Sequence, residues 1–263
     1  MRMTFSRLLI ITCGLLLAAC SPTGTVAVTA TPRPPTPTPL QTPTIVWFPP
    51  TATPSPPPVR TLPPTPDMLT GLGTLIASDD FTDPDEWDTA VSDEGSASVS
   101  RERLTLAVQP GVYMVSLQRQ MVLGNFYAEI TARPSLCRGA DEYGFLVRAS
   151  AATYYRFSLT CNGHVHAARI SVGERHVLHE PVMSGDVPPG APGEVRIGVW
   201  ASGSELRLFL NGRFQFSFTD KNISSGSVGV FARAAGETPV TVTFSDLDVR
   251  SVEYFPPTRT PAP

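Results

Sequence analysis

Apolar and polar residues alternate with a period of two through most of the stretch from Leu72 to Val252, and helical spacing is almost absent from it. Strict alternation puts the apolar side chains on one face of an extended chain, so this stretch is expected to be all-β. Phe126, Ala128, Ile130 and Ala132 alternate with Tyr127, Glu129 and Thr131, and Tyr143, Phe145 and Val147 alternate with Gly144, Leu146 and Arg148. Tyr155, Phe157 and Leu159 do the same against Tyr154, Arg156 and Ser158. Further strands are expected at 103–108, 112–117, 164–171, 175–179, 194–200, 205–210, 214–219, 227–232 and 240–249. Roughly a dozen strands exceed a small immunoglobulin-like unit and suit a two-sheet jelly-roll sandwich.

Turn residues support the same pairing. Asn211-Gly212 lies between two apolar-rich runs and supplies the positive φ that a two-residue type I′ turn requires. Val172-Gly173-Glu174 separates 164–171 from 175–179, which sets His176 near Ser171 and His179 near Ala168. The segment 185–193, with Pro188, Pro189 and Pro192, interrupts the pattern as a long loop at one rim, where function tends to sit.

Outside this stretch the pattern changes twice. Residues 1–7 carry Arg2 and Arg7 and no acid, and 8–19 form an apolar run too short to span a bilayer, as in a secretory signal peptide. Leu17-Ala18-Ala19-Cys20 resembles the bacterial lipobox, which implies cleavage after Ala19 and lipidation of Cys20. The protein is then extracytoplasmic, with the membrane as a partner through its N-terminal lipid. Of the 28 prolines, more than half lie between Pro22 and Pro66, where Thr-Pro and Pro-Pro recur with almost no charge. Such a segment buries too little apolar surface to fold and is biased toward polyproline II, so 20–71 is expected to be a stalk. At roughly 3.1 Å per residue it reaches on the order of 100 Å. Ile45-Val46-Trp47-Phe48 is its one apolar island, open to a docking role or to none. The residues 253–263 return to the stalk's composition and are expected to be a tail.

Charge and cysteine usage narrow the chemistry. The net charge is −3 and Lys221 is the single lysine, so the basic stripe that nucleic acid requires is missing. Of the four cysteines, Cys13 leaves with the signal and Cys20 takes lipid. Cys137 and Cys161 remain, at similar distances from the connection Ser150-Ala151-Ala152. Folding that hairpin brings its open ends together, which predicts a structural disulfide worth about 3 kcal/mol.

Several stretches together resemble the concanavalin A-like lectin/glucanase superfamily, in particular its laminin G-like and 3-keto-disaccharide hydrolase-like branch. They are Asp79-Asp80-Phe81 with Trp87, 103–106, 143–148 with 155–157, 208–212, 225–230 and 244–249, covering nearly the whole run from Leu75 to Val252. The resemblance implies the sandwich fold and a glycan, or another cell-envelope polymer, as ligand. Retaining glucanases of this superfamily carry a Glu-x-Asp-x-x-Glu strand, and this chain has no such triplet. Glu129-Ile130-Thr131 and Asp141-Glu142-Tyr143 each lack the remaining acids. Noncatalytic glycan binding is therefore the leading expectation. Beside it stand a sugar-processing enzyme of the keto-disaccharide hydrolase type and a structural or adhesive envelope protein without a small ligand.

Sugars stack on aromatic faces while amides, carboxylates and guanidinium groups bond their hydroxyls. Candidate ligand residues are Tyr154, Arg156, Tyr127 and Asp141, with Asn162 nearby; Tyr154 and Arg156 project from the face opposite Tyr155 and Phe157. Trp87 and Trp200 are read as core. Asp79, Asp80, Asp246 and Asp248 meet if the terminal strands pair, and such a set of oxygens would take a structural Ca²⁺; no other cofactor is implied. His164 and His166 share a strand face, as a chelating pair would, but the expected turn keeps His176 and His179 away from them.

Overall fold

In a computed structural model of the protein, residues 67–254 are described. The signal segment, Cys20, the stalk up to Pro66 with its Ile45–Phe48 island, and the tail from Phe255 lie outside the described residues. The rest folds into strands: β1 (Leu72–Asp79), β2 (Ala90–Ser92), β3 (Gly95–Val99), β4 (Leu104–Val108), β5 (Tyr113–Leu117), β6 (Phe126–Leu136), β7 (Glu142–Ala149) and β8 (Thr153–Thr160). They continue as β9 (His164–Ser171), β10 (Glu174–Met183), β11 (Val195–Ser202), β12 (Glu205–Leu210), β13 (Arg213–Thr219), β14 (Ser227–Arg233) and β15 (Val240–Val252).

Two antiparallel sheets result. One has nine strands in the order β13-β12-β11-β6-β15-β4-β3-β2, with β1 pairing the far half of β15; the other has six, in the order β10-β9-β8-β7-β14-β5. The meanders β7 to β10 and β11 to β13 each stay within one sheet, whereas the steps from β4 to β5, β5 to β6, β6 to β7, β10 to β11, β13 to β14 and β14 to β15 cross between sheets. The alternation in the sequence decides what each sheet turns inward. Phe126, Ala128, Ile130 and Ala132 of β6 meet Tyr143, Phe145 and Val147 of β7 and Tyr155, Phe157 and Leu159 of β8 in one buried layer. Each Phe, Ile, Val or Leu among them contributes about 1.5–3 kcal/mol by leaving water. Trp87 joins this layer, stacked on Phe81 at 5.1 Å, and its Nε1 donates to Asp79 Oδ2 at 2.7 Å.

The expected disulfide is present. Cys137 follows β6 and Cys161 follows β8; they are joined with Cα atoms 5.7 Å apart across a separation of 24 residues, closing the open end of the β7–β8 hairpin.

Three strands were not legible in the alternation: β1, most of whose side chains are exposed, and the short pair β2 and β3, built largely from Ala, Ser and Gly. The β9–β10 register also differs from the expected one. The turn has two residues, Val172 and Gly173, so Glu174 rather than His176 lies opposite Ser171, His176 faces Arg169, and a bulge moves His179 to Ala167.

Candidate functional site

The outer face of the six-stranded sheet carries the residues that the core does not use. Across one rung Tyr113 of β5, Arg233 of β14, Glu142 of β7 and Thr160 of β8 stand in line. Across the next stand Val115, Phe231, Gly144, Ser158 and His166, and across the third Leu117, Gly229, Leu146, Arg156 and Ala168. Gly144 makes the middle of this face possible. A Cβ there would sit 2.0 Å from the Phe157 carbonyl oxygen and 3.0 Å from the Phe231 ring. The Arg156 guanidinium lies 5.4 Å from the Phe231 ring centre and 5.7 Å from that of Tyr113. Tyr113 and Tyr154 close the row with their hydroxyls 3.1 Å apart. Burial, and after it the neighbouring Tyr154 hydroxyl, push the Tyr113 phenol far above its ordinary range, so it stays neutral.

At the centre Glu142 is surrounded by bases. Arg233 donates to its Oε1 at 3.1 Å; the Arg156 guanidinium comes to 3.9 Å from Oε2, near enough for charge attraction, and His166 Nε2 to 3.8 Å, both too far for a hydrogen bond. Burial pushes the His166 imidazole down to about 4; Glu142 pulls the other way, and Arg175, Arg156 and Arg233 add to the depression. His166 is therefore a neutral ring at physiological pH. Six buried side-chain polar atoms among the described residues have no hydrogen-bond partner, and five of them belong to this cluster: Glu142 Oε2, Arg156 Nε, Ser158 Oγ and both ring nitrogens of His166. These residues are 8%, 7%, 0% and 3% exposed. Unpaired buried polar groups cost about 1–3 kcal/mol each, so the unmet hydrogen-bonding capacity of the described residues is concentrated on this face.

The other predicted residues are distributed differently. Tyr154 and Arg156 do share this face, as their alternation implied. Tyr127 lies on the outer face of the other sheet, packed edge-on against Phe209 and bonded to Glu129 Oε2 at 2.5 Å. Asp141 is buried, and its carboxylate accepts from the backbone N–H groups of Arg138, Ala235 and Gly236 at 2.9, 2.9 and 3.2 Å, so it ties two loops together. Asn162 bonds Thr160 and His164 at the end of β8. Trp200 is fully buried, outside the layer between the sheets, in a small cluster with Tyr127 and Phe209.

The terminal strands β1 and β15 do pair, yet the four aspartates serve separate bonds. Asp79 accepts from Phe81 N and Trp87, Asp80 from Thr82, Asp246 from Ser245 and Asp248 from Ser78. Among the described residues no three His, Cys, Asp or Glu side chains converge as a metal site would require. His179 stacks on Phe216 at 3.8 Å and His176 turns to Glu174, which leaves His166 as the histidine of the cluster.

Glu142, Ser158, His166 and Arg233 were not singled out from the sequence. Glu142 had been considered only as half of an acid motif and His166 only as half of a metal pair. The alternation of β7, β8 and β9 does place Glu142, Ser158 and His166 on the Arg156 face, whereas the contribution of β14 and β5 depends on pairing between strands far apart in sequence.

The chain matches no protein-family model, and no curated protein matches it. Solved structures do. A Bacillus subtilis protein with a galectin-like fold superposes with a TM-score of 0.51 at 12% identity, over 70% of this chain and 99% of that one. The catalytic domain of an endo-1,3-β-glucanase (laminarinase) from Thermotoga petrophila RKU-1 gives 0.50 at 9% identity, over 69% and 99%. The sandwich is a concanavalin A-like jelly roll. A GlcNAcα1-4Gal-releasing endo-β-galactosidase from Clostridium perfringens gives 0.50 at 11% identity over 72% of this chain and 65% of its own. At such identities the likeness is one of fold, and the jelly roll's activity has to be argued from its own side chains.

Proposed function

We propose that this jelly roll is the working end of a lipid-anchored extracytoplasmic protein, of the laminin G-like branch, that holds a glycan on the outer face of its six-stranded sheet without cleaving it. The observation that carries this reading is the set of unpartnered polar groups of Glu142, Arg156, Ser158 and His166 on the same sheet face as the Tyr113 ring, which lies 5.7 Å from the Arg156 guanidinium and is open to solvent. A sugar is the ligand class that offers hydroxyls to such groups and a C–H face to aromatic rings at once. Two of the fold neighbours, the laminarinase and the endo-β-galactosidase, act on glycans, which is compatible with a glycan here. Binding is favoured over hydrolysis because the neighbours of Glu142 are two guanidinium groups, Arg156 and Arg233, and the neutral His166 ring; the cluster supplies one carboxyl where glycoside hydrolysis draws on a pair. The lipobox-like Leu17-Ala18-Ala19-Cys20 and the proline-rich segment after it support the anchored setting.

A glycan array probed with the full chain tests the binding. At least one glycan should be retained, and the double variant Tyr154→Ala, Arg156→Ala should lose it; retention by a correctly folded double variant would remove the site from this face. The anchor is checked by fractionating cells that express the chain. Cys20→Ser should move the protein from the membrane fraction to the soluble one, and an unchanged distribution would count against lipidation.

A further inference from the structure

The charge of this face runs against that of the chain. The protein as a whole carries −3, yet Arg156, Arg175 and Arg233 stand around the single carboxylate of Glu142 and a neutral His166. Arg175 lies opposite Ile170 on β9, whose neighbour on β8 is Tyr154, so it borders the cluster from the β10 side. It is exposed and forms no ion pair among the described residues. Arg233 spends one nitrogen on Glu142 and keeps its side chain 46% exposed. Arg156 has an Nε–H with no acceptor, in a setting where Glu142 comes no nearer than 3.9 Å. Three guanidinium groups against one carboxylate leave an excess of two positive charges. His166 adds ring nitrogens with no hydrogen-bond partner, one of which can donate to an oxyanion.

The geometry points to an anionic saccharide as the ligand of this face, with the carboxylate or sulfate oxygens of the sugar held by Arg156 and Arg175, its ring lying against Tyr113, and Arg233 keeping Glu142 occupied. This inference rests on the glycan-binding reading above and adds the charge of the sugar. Guanidinium groups are the side chains best suited to planar, paired bonding of such oxyanions, and the exposed Arg175 and Arg233 leave that attraction open to screening by salt. Tyr113, 37% exposed, is the aromatic ring of the row that remains open to a sugar face.

The test uses the full chain and two matched pairs of polymers: polygalacturonate with its methyl ester, and dextran sulfate with dextran. The charged member of at least one pair should bind and its neutral counterpart should not, with affinity falling as salt is raised; which pair responds separates carboxylate from sulfate. Arg175→Gln, an exposed change that should not disturb folding, is expected to weaken binding about tenfold, and Arg156→Gln at least as much. Equal binding of charged and neutral members, or charged binding indifferent to both arginine changes, overturns the inference. If neutral glycans on the array bind while neither charged polymer does, the inference fails and the glycan-binding reading stands; if no glycan binds at all, both fall.

Discussion

His166 shows how a single side chain couples the face to pH. Its ring is 3% exposed, both nitrogens lack hydrogen-bond partners, and burial among arginines holds its pKa at about 4, below the ordinary 6.5. Between those two values the unfolded chain binds a proton that the folded chain refuses. Stability is therefore full above about 6.5 and declines as pH falls toward 4. Replacing the ring by His166→Gln removes that titration. Denaturant midpoints measured from pH 7 to pH 5, above the range where most carboxylates titrate, should fall for the native protein and stay nearly level for the variant. Parallel curves would show that His166 carries no such linkage. The sequence revealed which face His166 occupies, through its alternation with Val165 and Ala167. It did not reveal the depression, because burial causes most of it, and how deeply β9 is covered depends on strands that nothing local in β9 predicts.

Two hairpin turns show the same contrast at the scale of elements. Asn211 and Gly212 have φ of 51° and 75°, and Val172 and Gly173 have φ of 50° and 82°. Both are two-residue turns with left-handed backbone at both positions, as the twist of antiparallel strands favours. Asn and Gly accept that conformation readily, so the first turn was legible. Valine is β-branched and strained there, so no favourable residue marks the second turn as a two-residue one, and the β10 register differs from the one a 172–174 connection implies. Val172 is 81% exposed and its backbone N–H donates to the Ala152 carbonyl at 2.8 Å, a bond that any non-proline residue keeps. Val172→Asn should therefore relieve strain without losing packing and raise stability by about 1 kcal/mol. An equilibrium urea titration measures this directly, and an unchanged or lower midpoint would contradict it. The strands β2 and β3 were missed for a related reason: Ala90–Ser92 and Gly95–Val99 pair with each other and with β4 through backbone bonds, and their small side chains give alternation little to work with.

For the whole molecule, the decisive arrangement is that the described chain enters on one sheet and the candidate site lies on the other. Residues 68–70 lie against the outer face of the nine-stranded sheet, where Trp200 Nε1 donates to the Thr70 carbonyl at 2.9 Å and Arg207 Nη1 to that of Met68 at 2.6 Å. The Arg207 guanidinium lies 4.1 Å from the Trp200 ring centre and 5.6 Å from that of Tyr254, so one side chain pins both ends of the described chain. Composition placed these residues in the stalk and the tail, since a pin made of one arginine and one tryptophan leaves no periodic trace. Arg207 is 6% exposed and its Nε is held by Glu205, so the pin is part of the packed structure rather than a passing surface contact. In Arg207→Ala the carbonyl of Met68 loses its donor and the Trp200 ring loses its cover. Limited proteolysis followed by mass spectrometry should then show faster cleavage between Asp67 and Leu72, with acrylamide quenching more of the tryptophan fluorescence. Binding on the six-stranded face should stay as it was, because that face shares no side chain with the pin. If glycan binding fell together with protection of residues 67–72, the two faces would be energetically coupled, and the separation of tether from site would not hold.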